Sequence, residues 1–316
     1  MGAMRAGIVL AGFAGLTVPL LPVQELLLRL SPRLARTFPH WYHRQVCKIL
    51  GIALHVEGEV DQNNPVLLIS NHTSWLDIPV LSAIAPVSFV AKREVSGWPG
   101  VKTLARLQRT VFVDRARRTS VEGTANEIRA RLLKGDTLVL FAEGTSSDGN
   151  RILPFRSSLF AAAIPGRQSG KPVAPGNTKN TNRHSLENET PAQPEKVTLV
   201  QTITIAYTHL HGVPLGRADR PLVGWYGDME MLSHAWGVLK AGPLDVTVKI
   251  GPPVPVSEFK DRKDLAQKSE QEVAKNLARI LRRRTNEEEF DLVKIPPRQR
   301  KSPLFKAGSA KAGGMR

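Results

Sequence analysis

A histidine and an aspartate five residues apart, His72 and Asp77, are the side chains in this sequence best suited to chemistry. They follow an apolar run at residues 66–69, which predicts a buried strand that ends just before them. A neutral imidazole is the usual general base near pH 7, and a carboxylate bonded to its second ring nitrogen fixes the tautomer. The pair therefore has the composition of a base and its orienting partner.

The spacing of the pair restricts where it can lie. Five positions along one α-helix turn by about 140°, so His72 and Asp77 cannot share a face of a single helix. If they pair, His72 lies in a loop and Asp77 in the first turn of the next helix, with Ser74 as the helix cap. In the alternative interpretation, Asp77 only complements the helix dipole and His72 is a polar loop residue. Spacing alone leaves both open.

Short apolar segments alternate with helical segments between residues 46 and 255. This pattern predicts an α/β fold with a mainly parallel sheet flanked by helices. We predict strands at 53–56, 66–70, 87–91, 110–113, 137–141, 200–206 and 246–250, and helices at 78–84, 101–107, 121–133 and 157–163. Sites in such sheets form at the carboxyl ends of strands. Polar side chains follow four of these strand ends and are expected to converge: His72, Lys92, Arg115 and Glu143.

These positions suit acyl transfer from a thioester to an alcohol, which needs a base and donors for the oxyanion. Lys92 and Arg115 could hold the phosphate of an acceptor, with arginine the better bidentate partner. Gly144 allows close backbone approach, and the Thr145 hydroxyl could bind an anion. The alternative for the two basic residues is an ordinary solvated surface.

Three segments resemble, in order and spacing, the blocks of the glycerolipid acyltransferase family with its HxxxxD motif. They are Asn-His-Thr-Ser-Trp-Leu-Asp at 71–77, Val-Phe-Val-Asp-Arg at 111–115 and Phe-Ala-Glu-Gly-Thr-Ser at 141–146. The resemblance covers about residues 45 to 255 and implies that His72 is the general base and Asp77 its orienter. It also implies a substrate-binding set: Lys92, Arg115, Glu143, Gly144 and Thr145. The family's fourth block often carries a proline, which residues 201–204 lack.

The resemblance implies an O-acyltransferase that moves a fatty acyl group from acyl carrier protein or acyl-CoA to the free hydroxyl of a lysolipid. The acceptor expected first is 1-acyl-sn-glycerol-3-phosphate, which would give phosphatidic acid. Residues 104–110 and 147–151 also look like the bacterial branch that acylates lyso-ornithine lipid, which is the alternative. Neither reaction requires a metal or a redox cofactor.

The N-terminus and the net charge of +16 indicate a lipid partner. Nineteen residues without charge, 6–24, are long enough for a bilayer span. A basic and aromatic set suited to a membrane interface follows: Arg29, Arg33, Arg36, His40, Trp41, Tyr42, His43 and Arg44. We predict a membrane anchor at 1–45, either a span or a helix pair in one leaflet, with the acyltransferase domain at 46–255. A buried core helix is the alternative.

Localisation at the cytoplasmic face of a bacterial inner membrane follows from that interpretation, since anionic lipids attract flanking basic residues there. Residues 166–195 are expected to form a disordered insertion, and 256–316 an amphipathic helix followed by a basic disordered tail. Nucleic acid is disfavoured as a partner because only 6% of the residues are aromatic and no binding module is evident.

Rival functions are a serine hydrolase and a non-catalytic lipid-binding protein. The hydrolase normally presents G-x-S-x-G after a strand, and residues 144–148 lack the second glycine. The lipid-binding protein explains the anchor and the charge but not the His–Asp pair. His209 and His211 have a spacing that could serve a metal, although a loop is the simpler interpretation. An aromatic and aliphatic group could line an acyl-chain groove: Trp225, Tyr226, Met229, Met231, Trp236 and Leu239.

Overall fold

A mainly parallel β-sheet carries the candidate site in the computed structural model, which describes residues 1–92, 97, 100–113, 118–162 and 198–282. The strands are β1 Ile52–Glu57, β2 Val66–Ser70, β3 Val87–Lys92, β4 Val111–Val113, β5 Thr137–Phe141, β6 Leu199–Leu210, β7 Val213–Pro214, β8 Leu244–Ile250 and β9 Val254–Pro255. The helices are α1 Gly2–Leu30, α2 Pro32–Leu50, α3 Asp77–Ile84, α4 Val101–Leu107, α5 Arg118–Leu133, α6 Met231–Ala241 and α7 Arg262–Arg282. The predicted α/β class is confirmed.

The strand order is β1-β8-β6-β2-β5-β3-β4, with the short strands β7 and β9 paired to β6. Strands β6, β2, β5, β3 and β4 run parallel, and β8 joins β6 in the antiparallel sense. Strand β2 lies near the middle of this order, and all five of its residues are buried. Its carboxyl end therefore opens at the centre of one edge of the sheet.

Alternating side chains of β2 explain why the strand is apolar throughout. Val66 and Leu68 belong to a core cluster that includes residues of α2 and α3. Leu67 and Ile69 belong to a second cluster, on the other face, that includes residues of α5 and α7. Because both faces are covered, the strand shows no apolar–polar alternation.

The N-terminal segment forms a pair of helices that packs along the α/β body. Helix α1 includes Pro19 and Pro22 and, within the part of the chain that is described, is the one helix long and apolar enough to cross a membrane by length and composition. Near its start, Arg5 donates to the carbonyls of Leu239 and Leu50. Near its end, Gln24 Nε2 donates to the Ala35 and Leu107 carbonyls, both at 2.9 Å. Helix α1 is thus fastened to the body at both ends.

Three predicted boundaries were wrong. Strand β6 is longer than the predicted 200–206, because its second half pairs with β8 after β2 has ended. The segment predicted as a helix at 157–163 is a 3₁₀ helix, Ser157–Ala162. Helix α7 begins at Arg262, six residues after the predicted boundary at 256. The predicted insertion at 166–195 and the basic tail after residue 282 lie outside the described residues.

Candidate active site

The loop that carries His72 is attached to strand β6 by the side chain of Asn71. Strand β2 ends at Ser70, which pairs with Ile203. One residue later, Asn71 Oδ1 accepts from the Ile205 N–H at 2.8 Å, and Asn71 Nδ2 donates to the Ile205 carbonyl at 3.0 Å. The amide side chain thus replaces a backbone peptide in the ladder. The main chain is free to turn away from the sheet, and it presents His72 at the edge.

His72 and Asp77 pair, as the family resemblance implies. His72 lies in the loop and Asp77 is the first residue of α3, and His72 Nδ1 lies 2.8 Å from Asp77 Oδ2. The carboxylate can only accept, so Nδ1 carries the proton and Nε2 is the basic nitrogen. The imidazole also stacks on Phe141, with ring centroids 4.0 Å apart. Two contacts therefore fix the plane of the ring.

The Asp77 carboxylate is fully buried, and four groups hydrogen-bond to it. Oδ2 also accepts from the N–H groups of Thr73 at 2.7 Å and Ser74 at 3.0 Å. Oδ1 accepts from the hydroxyl of Tyr207 at 2.7 Å. The prediction that Ser74 caps the helix through its side chain was wrong. Instead, Asp77 in the first turn reaches back to the N–H groups of the loop, and Leu76 is the cap residue without a side-chain bond.

Glu143 follows β5 and supports the same loop from the other side. Its Oε1 accepts from the His72 N–H at 2.9 Å, and its Oε2 accepts from the Leu153 N–H at 3.1 Å. The side chain is buried, and burial raises the pKa of Glu143 to about 8 although both N–H donors oppose that shift. In this arrangement the carboxylate faces the backbone of the catalytic loop.

The other predicted site residues stand at the opening. Gly144 adopts φ +73°, the left-handed conformation that lets the chain reverse directly after Glu143. Thr145 and Lys92 are exposed, and both line the cavity that contains His72. Arg115 lies outside the described residues, so its predicted place at this edge stays a prediction.

A largely apolar cavity of about 820 Å³ runs from this edge to the N-terminal helix pair. Its walls include side chains of α1, α2, α4 and α6, and it contains His72. Four residues of the aromatic and aliphatic group predicted for an acyl-chain groove line it: Trp225, Tyr226, Met231 and Leu239. Met229 and Trp236 are exposed instead. The volume is in the range of small-molecule and cofactor pockets.

His209 and His211 bind no common partner in the described structure. His209 lies 3.6 Å from Asp245, whereas His211 Nε2 meets the Ala241 carbonyl at 2.6 Å. No group of three or more candidate metal ligands occurs among the described residues.

The site can deprotonate a hydroxyl beside an apolar cavity, and comparisons with known proteins define the class of chemistry. A model of the family described as Acyltransferase matches residues 52–177. The crystal structure of the 1-acyl-sn-glycerophosphate (LPA) acyltransferase PlsC from Thermotoga maritima has the same fold. It aligns with a TM-score of 0.59 at 19% identity, over 89% of this chain and 98% of that one.

Two curated relatives show which acyltransferases this chain is similar to. The lyso-ornithine lipid O-acyltransferase of Brucella abortus (strain 2308) is 44% identical over 273 residues, which are 86% of this chain and 94% of that protein. The 1-acyl-sn-glycerol-3-phosphate acyltransferase of Neisseria meningitidis serogroup B is 37% identical over 122 residues, 38% of this chain and 48% of that protein. The chain belongs to the acyltransferase family that includes these enzymes, as its motifs predicted.

Sequence reasoning missed two residues that build the site, Asn71 and Tyr207. Asn71 was visible only as part of the Asn-His motif, since its partner Ile205 is 134 positions away in the chain. Tyr207 lies inside β6, one residue beyond the end predicted for this strand at 206. The pattern of alternate apolar residues 203, 205 and 207 was the available signal.

Proposed function

We propose that this acyltransferase transfers a fatty acyl group to the free hydroxyl of lyso-ornithine lipid. The observation that carries the chemistry is the 2.8 Å contact of His72 Nδ1 with Asp77 at the mouth of the apolar cavity. The relative with that name aligns over nearly its whole length, whereas the 1-acylglycerol-3-phosphate enzyme of Neisseria aligns over less than half of its own. The acceptor expected second from the sequence is therefore the better supported one.

In the proposed mechanism, His72 Nε2 accepts the proton of the acceptor hydroxyl while the oxygen of that hydroxyl attacks the thioester carbonyl. The C–S bond breaks, the ester forms, and the leaving thiolate takes the proton back from His72. Asp77 holds the ring and stabilises the transient imidazolium. No covalent acyl-enzyme is formed, and no metal or redox group is needed. The donor would be acyl carrier protein or acyl-CoA.

Lys92 and Thr145 stand at the cavity mouth, where an acceptor headgroup would lie. We infer that they, with Arg115 and the backbone at Gly144, bind the anionic group of that headgroup. For an ornithine headgroup this is its carboxylate, and arginine suits it as a bidentate partner. We assign Glu143 to positioning His72, because both its oxygens accept backbone N–H groups.

We propose that α1 lies in one leaflet instead of crossing the bilayer. Arg5 and Gln24 bind the body at the two ends of the helix, and Glu25 pairs with Arg106 of α4 at 2.6 Å. A helix held at both ends along a folded body cannot also project through a membrane. Its exposed residues are almost all uncharged and include large apolar side chains that could contact lipid: Ile8, Leu10, Val18, Val23 and Leu26. The body would then face the anionic cytoplasmic surface of the inner membrane, consistent with its net charge of +16.

The test is acyl transfer by the full-length protein in detergent micelles. Labelled acyl carrier protein and acyl-CoA are each offered with lyso-ornithine lipid and with 1-acyl-sn-glycerol-3-phosphate. We expect product from lyso-ornithine lipid, and a loss of about 10³-fold or more in kcat for His72→Ala. His209→Ala is the matched histidine control, because His209 lies outside the cavity, and it should keep its activity.

Product from 1-acyl-sn-glycerol-3-phosphate alone would show that this lipid is the acceptor. Lys92 would then bind its phosphate. Transfer to neither acceptor, with both donors tried, would contradict the proposed reaction. Full activity of His72→Ala would contradict the assignment of the base.

A further inference from the structure

We infer that Tyr207 is a positioning residue for acyl transfer, which holds the Asp77 carboxylate so that His72 is presented to the substrate in one orientation. The inference rests on the proposed role of His72 as the base. It adds Tyr207, from a strand that is distant in the sequence, to the pair of His72 and Asp77 that the sequence motif contains.

The sheet explains how Tyr207 arrives there. Strand β6 continues for seven residues beyond Ile203, where its partner β2 ends. Side chains of alternate residues point to the same face of a strand. Ile203, Ile205 and Tyr207 accordingly all join the core cluster that includes residues of α2 and α3. The extension therefore carries a phenol ring beneath the loop and the first turn of α3.

The two oxygens of Asp77 have different partners. Oδ2 accepts from the ring Nδ1–H of His72 and from the backbone N–H groups of Thr73 and Ser74, all of which belong to the loop itself. Oδ1 takes the Tyr207 hydroxyl at 2.7 Å, a bond to another part of the fold. Tyr207 thereby ties the carboxylate to the sheet, and it restrains rotation of the carboxylate about its Cβ–Cγ bond.

Tyr207 is suited to donate. Its ring is buried, and burial together with the adjacent Asp77 raises the pKa of the Tyr207 hydroxyl well above its ordinary value. The hydroxyl therefore keeps its proton at neutral pH. A hydrogen bond to a charged group in a buried site is stronger than one between neutral groups.

Tyr207 does not line the cavity, whereas His72, which contacts the same Asp77 carboxylate, does. Removing its hydroxyl should therefore alter the chemical step and leave substrate binding unchanged. This separates a positioning role from a binding role, because the first lowers kcat and the second raises KM.

The experiment compares Tyr207→Phe with the unmodified enzyme in steady-state transfer, using the acceptor and donor that the unmodified enzyme accepts. We expect kcat to fall about tenfold or more, with both KM values within about twofold. The matched control is Thr208→Val, at the next residue of β6. It removes the contacts of Thr208 Oγ1 with the Asp245 carbonyl at 3.2 Å and with His209 Nδ1 at 3.0 Å. It should keep kcat.

A second variant serves if Tyr207→Phe does not fold. Tyr207→4-fluorophenylalanine fills the space of the hydroxyl with a group that cannot donate a hydrogen bond to Asp77, so kcat should fall at unchanged KM. An unchanged kcat in either folded variant would overturn the inference, and so would an equal loss of kcat in Thr208→Val. If His72→Ala remains active, the proposed base fails instead, which is a separate outcome.

Discussion

Glu143 shows how one buried side chain serves the geometry of another residue. Its two carboxylate oxygens accept from the backbone N–H groups of His72 and Leu153. Glu143 therefore holds the loop that carries His72 close to the end of β5. The family resemblance implies that Glu143 binds substrate, and this role stays a prediction.

The pKa of Glu143 gives a pH dependence of stability. Burial raises it from 4.5 to about 8, so between these pH values the folded chain binds more protons than the unfolded chain. The contribution of Glu143 to the free energy of unfolding is therefore largest below pH 4.5 and is lost as the pH rises towards 8. Glu143→Gln cannot titrate. We expect the stability of the unmodified protein, relative to this variant, to decline from pH 5 to pH 8.

Thermal unfolding in detergent at pH 5, 6, 7 and 8 measures this difference. Glu258→Gln, at an exposed position, makes the same chemical change on the surface and should run parallel to the unmodified protein. Parallel curves for Glu143→Gln as well would show that the buried carboxyl is ionised throughout this range.

At the residue scale, the sequence predicted the His72–Asp77 pair because both partners lie within one short segment. It could not predict Tyr207, since the bond depends on the register of β6 against β2. That register follows from packing along the whole sheet. Residues that act through local spacing are thus visible in a sequence, whereas residues brought in by long-range strand pairing are not.

Helix α6 separates the cavity from the outer surface. Met231, Ala235 and Leu239 recur at four-residue intervals and line the cavity. Leu232 and Trp236 follow them by one position and are 76% and 39% exposed. The last turn of α6 packs against the first turn of α1, where Arg5 binds the Leu239 carbonyl. The exposed apolar surface of α1 therefore continues onto α6.

Membrane binding should depend on this outer stripe of α6. Leu232→Glu with Trp236→Glu places two charges where large apolar groups would meet lipid, and we expect at least tenfold weaker binding to vesicles of anionic phospholipid. Flotation of the full-length protein with such vesicles measures it. Gln271→Glu with Ala278→Glu adds the same charge to exposed positions of α7, which packs on the other face of the sheet, and should bind normally.

Equal flotation of both double variants would show that α6 does not contact lipid. Transfer to a micellar acceptor should persist in the α6 variant, because Leu232 and Trp236 do not line the cavity.

At the element scale, periodicity and turn residues located most strands and helices to within a few residues. Helix α6 was not predicted, and the segment predicted as a helix at 157–163 is a 3₁₀ helix. Elsewhere, elements continue where a further neighbour packs beside them. Strand β6 continues because β8 offers a new partner, and α1 continues through Pro19 and Pro22 to Leu30, where it packs beside α2 and α4. Neither partner is evident from the local sequence.

At the scale of the described chain as a whole, one buried carboxylate links distant elements at the end of the sheet opposite to His72. Asp136, just before β5, is buried and pairs with three arginines: Arg36 of α2, Arg109 before β4 and Arg131 of α5. Arg36 also donates to the Gly135 carbonyl at 3.0 Å. This cluster connects the N-terminal helix pair to the α/β body.

Asp136→Asn should lower the free energy of unfolding by about 3 kcal/mol or more, because three guanidinium groups then lose their common counter-charge in a partly buried site. Chemical or thermal unfolding in detergent is the measurement. The surface pair of Asp264 with Lys268 provides the control, since the loss for Asp264→Asn should be much smaller at this solvent-exposed position. A loss for Asp136→Asn no larger than the control would show that the cluster is not a structural link.

The attachment of the catalytic loop through Asn71 has a consequence for what evolution can do at that position. Its side chain uses a donor and an acceptor at once, on the two backbone groups of one residue, Ile205. Aspartate has no donor, serine is too short to span both groups, and glutamine reaches one methylene too far. No other natural side chain places the same donor and acceptor at that distance. We therefore expect every substitution of Asn71 to weaken the attachment of the loop.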